Sequence, residues 1–91
     1  MINLDEEITF VKKVIEHPAG FNLDLLGLLN VSGNEDETWE VEYEGGRSAS
    51  RYAECETSYE AARLFCVWRR ELEIGIDIEE ELYARHKEQY E

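Results

Sequence analysis

The sequence predicts a single α+β domain: an N-terminal helix, a short second helix, an antiparallel β-hairpin, a long amphipathic helix and a C-terminal helix. Three observations carry that expectation. From Trp39 to Glu44, large apolar residues alternate with glutamates, the period of two that marks a half-buried strand. From Ala61 to Leu72, apolar residues recur three and four apart, which gathers them on one helical face. The length of 91 residues leaves room for one core and not two, so residues 1–91 are read as one domain.

Asn3 or Asp5 is placed to cap the first helix, and Asp5, Glu6 and Glu7 suit the positive end of its dipole. Ile8, Val11, Val14 and Ile15 form its buried stripe, with Phe10 beside them. Pro18 ends it, because the residue before a proline avoids helical geometry. Phe21–Val31 holds five leucines, and periodicity alone does not separate a short buried helix from a buried strand there. A helix capped by Asn22 is the preferred reading, since leucine favours helix over strand; a third strand at Leu28–Val31 is the alternative. Ser32–Glu37 is a polar loop.

In the hairpin, Gly45-Gly46 is expected to form a two-residue turn. That register sets Glu44 against Arg47, Glu40 against Arg51, Trp39 against Tyr52 and Tyr43 against Ser48, with charge pairs on one face and an aromatic pair on the other. Thr57 and Glu60 match a capping box for the long helix, and Gly75 is placed to stop it. Its stripe of Ala61, Leu64, Phe65, Trp68 and Leu72 is the natural cover for the hairpin, which is marginal alone. A last helix is expected from near Asp77, with Glu80 completing its cap and Ile78, Leu82 and Tyr83 reaching the core.

Charge is the main functional signal. Asp and Glu number 22 against 9 Lys and Arg, a formal charge of −13. Solubility of a small domain needs a magnitude of only about 2–8. The excess repels itself in the compact state, which argues for a use in association. It argues against direct contact with DNA, RNA or an anionic membrane and in favour of a basic protein partner. With no signal peptide and no apolar run near 18 residues, the chain reads as cytoplasmic, and Cys55 and Cys66 as free buried thiols.

Two acidic clusters are the candidate partner-binding site. Glu35, Asp36, Glu37, Glu40, Glu42 and Glu44 fall together with no base among them. Glu40, Glu42 and Glu44 share a strand face at about 6.5–7 Å spacing, close to the phosphate repeat along a nucleic-acid strand. Glu71, Glu73, Asp77, Glu79, Glu80 and Glu81 form the second cluster, of which Glu73, Asp77, Glu79, Glu80 and Glu81 are the candidate contacts. The competing reading is an ordinary solvated acidic face. Arg63, Arg69 and Arg70 are expected to pair with nearby glutamates. SGNEDE lacks the spacing of a calcium loop, and Cys55, Cys66, His17 and His86 match no zinc pattern. No catalytic motif is present, so no metal, no cofactor and no enzymatic activity are expected.

The strand WEVEY, a short turn, a second strand and a helix opening TSYEAARLF resemble, over Thr38–Ile78, small acidic inhibitors of phages and mobile elements, the anti-CRISPR proteins among them. The same outline resembles immunity proteins that neutralise bacterial toxins. The resemblance implies an inhibitor that works by occupying a basic surface; with the charge, the leading expectation is a nucleic-acid mimic that occludes a basic nucleic-acid-binding surface of a nuclease or defence complex, acting alone or as a homodimer. It transfers no individual functional residue. Toxin immunity is the alternative function, and a phage interaction protein using apolar contacts at Leu23–Leu29 is a third.

Overall fold

The computed structural model describes residues 3–16, 22–45 and 49–74. Two helices pack on one face of a four-stranded antiparallel sheet. In chain order the elements are α1 (Leu4–Ile15), β1 (Asn22–Leu25), β2 (Leu29–Gly33), β3 (Trp39–Tyr43), β4 (Arg51–Cys55) and α2 (Ser58–Glu71). The strands lie in the sheet in sequence order, β1-β2-β3-β4, each antiparallel to the next.

Local chemistry accounts for both helices. Asn3 caps α1, its side-chain oxygen accepting the Glu6 N–H at 2.8 Å. Thr57 caps α2, its hydroxyl oxygen accepting the Glu60 N–H at 3.1 Å. Ile8, Phe10, Val11, Val14 and Ile15 are buried, as the stripe requires. On α2, Ala61 and Phe65 are buried, while Leu64, Trp68 and Leu72 pack against the core from its edge. Cys55 and Cys66 are free thiols inside the core.

Three expectations are corrected. The leucine segment is not a helix but the hairpin β1–β2, turning at Leu26-Gly27 with both residues at positive φ (58° and 70°). Leu23, Leu25, Leu29 and Val31 alternate with Asn22, Asp24, Asn30 and Ser32, so the leucines reach the core by strand geometry. Burial on the sheet's inner face outweighed leucine's helical preference.

The β3–β4 register also differs. Glu40 lies opposite Glu54 and not Arg51, three residues further along β4 (54 against 51); Trp39 faces Cys55, Val41 faces Ala53, Glu42 faces Tyr52 and Tyr43 faces Arg51. An odd shift exchanges the faces of a strand. It places Ala53 and buried Cys55 towards the helices and turns Tyr52 and Glu54 outwards. The connection runs from Glu44 to Ser50, longer than a Gly45-Gly46 turn. Gly45 is not at positive φ; a side chain there would collide with the Tyr43 ring, so glycine answers a close approach. Tyr43 faces Arg51, so its expected pairing with Ser48 falls with this register, while Arg47, the expected partner of Glu44, lies outside the described residues.

The stop of α2 differs too. The helix ends with Leu72 as its C-cap, and Glu73 takes the left-handed conformation at φ 55°. The Ile74 N–H bonds the Arg69 carbonyl at 2.9 Å and the Glu73 N–H the Arg70 carbonyl at 3.3 Å, a Schellman ending with glutamate where glycine is usual. Gly75 itself and the expected helix from Asp77 lie outside the described residues.

The helices run antiparallel. Glu16 at the end of α1 accepts a hydrogen bond from Ser58 at the start of α2. At the opposite end Glu7 (5% exposed) pairs with Arg69 (2% exposed) and with Arg70, the latter at 3.0 Å. Glu7 had been assigned to the dipole of α1. Its carboxylate instead locks the two helices together from inside the core.

Candidate functional site: the open face of the sheet

Because side chains alternate along a strand, one face of this sheet meets the helices and the other meets no described element. The inner set is Leu25, Leu29, Val31, Val41, Tyr43 and Cys55, all buried. The outer set reads Asn22 and Asp24 on β1, Asn30 and Ser32 on β2, Glu40 and Glu42 on β3, and Tyr52 and Glu54 on β4. The ladder continues one step beyond β3: the Glu44 N–H bonds the Leu28 carbonyl at 2.9 Å, which puts Glu44 on the outer side as well.

This face carries Asp24, Glu40, Glu42, Glu44 and Glu54 and no basic residue from any described strand. Arg51, expected to neutralise Glu40, points to the other layer. It lies over the Trp68 ring at 5.7 Å from the centroid and pairs with Glu71 at 3.3 Å. The corrected register therefore makes the face more negative than the sequence reading had it. Among the described residues none of Asp24, Glu40, Glu42, Glu44 and Glu54 joins an ion pair.

Tyr52 reports the field at the face. Its hydroxyl donates to Glu40 at 2.5 Å. Its pKa is pushed up to about 12 by that bond first, then by desolvation and by the charges of Glu40, Glu54 and Glu42. On the outer side, Asn30 donates to Asn22 at 2.6 Å, a polar cross-strand tie that adds no charge.

The remaining residues of the expected site lie elsewhere. Glu35, Asp36 and Glu37 form the β2–β3 turn, all exposed, with Glu37 at φ 66°. Asp36 accepts from the Thr38 hydroxyl at 2.7 Å and from the Thr38 N–H, which hold its carboxyl below the usual range. Glu35 and Glu37 line a cleft of about 660 Å³ with Trp39, Glu16, Glu56 and Ser58, between the turn and the facing helix ends. The Ser58 bond keeps the Glu16 carboxyl low. Glu73 sits at the far end of α2, in the helical layer. Asp77, Glu79, Glu80 and Glu81 lie outside the described residues. The structure thus brings Glu40, Glu42 and Glu44 together with two acids the sequence reading left out, Asp24 and Glu54. The signal for both was present: each is flanked by apolar neighbours in strand alternation.

Of the arginines, Arg69 and Arg70 pair with Glu7, while Arg63 is exposed and in no ion pair among the described residues. Among the described residues no group of three or more His, Cys, Asp or Glu is arranged to hold a metal ion. None of the described helices is long and apolar enough to cross a membrane. No family model, curated protein or solved structure matches the chain.

Proposed function

We propose that this chain is a protein inhibitor of the anti-CRISPR kind, which lays the acidic outer face of its sheet on a basic nucleic-acid-binding surface of a nuclease or defence complex. The observation that supports this most is the composition of that face. Five carboxylates stand on one face of the sheet with no cation beside them among the described residues, and three of them, Glu40, Glu42 and Glu44, follow the two-residue repeat of a strand, about 6.5–7 Å. Folding gains nothing from the Glu40–Glu54 pairing within it, since like charges opposite each other destabilise a sheet. A groove built for phosphates offers the complementary array. Charge of this kind speeds encounter and fixes register, and a few apolar contacts hold the complex. Occlusion needs no chemistry from the inhibitor, which agrees with carboxylates spread over an open face and not gathered in a pocket.

The test is cleavage of a target plasmid by purified RNA-guided nucleases, with the wild-type chain and with Glu40→Lys/Glu42→Lys/Glu44→Lys. The wild type is expected to block cleavage at low salt and less well at high salt. The triple variant, checked for folding by circular dichroism, is expected to lose inhibition. Inhibition that survives the charge reversal rejects the face as the site.

A further inference from the structure

We infer that the β1–β2 turn, Leu26 to Leu28, is an apolar anchor that seats in a hydrophobic socket on the same basic protein surface the acidic face meets; the inference rests on that reading of the sheet. Leu26 and Gly27 are the central residues of the turn, at φ 58° and 70°, and the Leu28 N–H bonds the Leu25 carbonyl at 3.0 Å. Two positive φ values make this a mirror-image hairpin turn, where asparagine, aspartate or glycine is the usual first residue. Leucine has neither their backbone tolerance nor a polar atom to bond locally. Its side chain is also 63% exposed, and that of Leu28 is 38% exposed. Folding thus disfavours leucine at position 26 twice, by conformation and by solvation. Local rules broken in this way are expected where a residue serves contact and not stability.

Position connects the turn to the acidic face. The Glu44–Leu28 backbone bond puts Leu28 beside Glu44, on the side occupied by Glu42 and Asn30. One surface therefore carries a row of carboxylates ending at Leu28, with the exposed Leu26 at the tip of the same turn. The charge chooses the occupant. A second copy would bring the same acids, and with a formal charge of −13 on each chain the two faces repel. An anionic bilayer or a nucleic acid is repelled likewise. A basic protein surface with an apolar hollow satisfies both halves of the patch: lysines and arginines meet the acids, and the hollow takes the leucines.

The experiment uses the full chain labelled with ¹⁵N and two peptides of equal length and charge, one of lysines and leucines, the other with every leucine replaced by serine. Both peptides should shift the amides of Glu40, Glu42 and Glu54. Only the lysine–leucine peptide should shift Leu26–Leu28, and it should bind about tenfold tighter, the worth of burying one large apolar side chain. Leu26→Asn/Leu28→Ser should lose that advantage, while Leu26→Asn alone should raise the melting temperature. Sheet amides that move while the turn stays silent overturn the anchor and leave the acidic face standing. Silent sheet amides overturn the reading of the face and the anchor with it. Binding of phosphatidylcholine vesicles through the turn also overturns the inference, since the occupant is then lipid.

Discussion

Glu40 and Glu54 stand directly opposite each other across the β3–β4 ladder, two carboxylates on the same outward face. Such a pair costs a sheet about 0.2–1 kcal/mol relative to a neutral one. Glu54→Thr should therefore stabilise the domain by that amount, measured by urea denaturation, and weaken binding to a basic partner. A variant that gains stability and keeps full affinity would place Glu54 outside the contact.

Tyr52 titrates where its neighbours put it. Its folded pKa of about 12 lies above the ordinary 10.0, so the fold favours the protonated phenol. By linkage, that contribution is complete below pH 10 and disappears as the pH climbs through about 12. Absorbance of the phenolate should show one late titration that moves back towards 10 in Glu40→Gln, since the bond to Glu40 is the largest cause. A titration unmoved by that substitution denies the bond.

The Glu7–Arg69 pair is sensitive to the loss of one partner alone. Glu7→Ala removes the buried carboxylate that pairs with the Arg69 guanidinium, and breaking a buried pair this way costs about 3–5 kcal/mol. Glu7→Leu/Arg69→Met removes both charges and is expected to recover most of the loss, because Arg70 is a third exposed and can be solvated. Chemical denaturation of the two variants decides the matter; equal stabilities contradict it.

Glu73 ends α2 in a conformation that suits glycine. Glu73→Gly should add a few tenths to about 1 kcal/mol, the relief of left-handed strain less the extra freedom of the unfolded chain. It also removes a negative charge from the negative end of the helix dipole. Thermal melting checks the sign.

Both helices were legible in the sequence because their signals are local: a cap and a stripe within a few residues. Asn3, Thr57 and the Ile8–Ile15 and Ala61–Leu72 patterns sit where they were expected. β3 was legible for the same reason. The sheet's pairing was not, because register is decided by which residues must face the core, and that depends on α1 and α2. Gly45-Gly46 looked like a hairpin turn, yet Gly45 serves the Tyr43 ring. Gly27 did mark a turn, but Leu26 before it masked the usual asparagine–glycine signature. The acidic character of the site was visible in composition. Its completion by Asp24 and Glu54 required the faces to be known.

A sheet whose strands follow one another in sequence can be laid down hairpin by hairpin as the chain leaves the ribosome. The clasp between α1 and α2 cannot. Glu7 is made before any strand of the sheet, but its buried partner Arg69 is synthesised only after all four, 62 positions later. Until then Glu7 must remain in water, and α1 with it. A translating chain halted before Arg69 should therefore expose α1 to proteases and chaperones, and release of Arg69 and Arg70 should act as the latch that commits the domain.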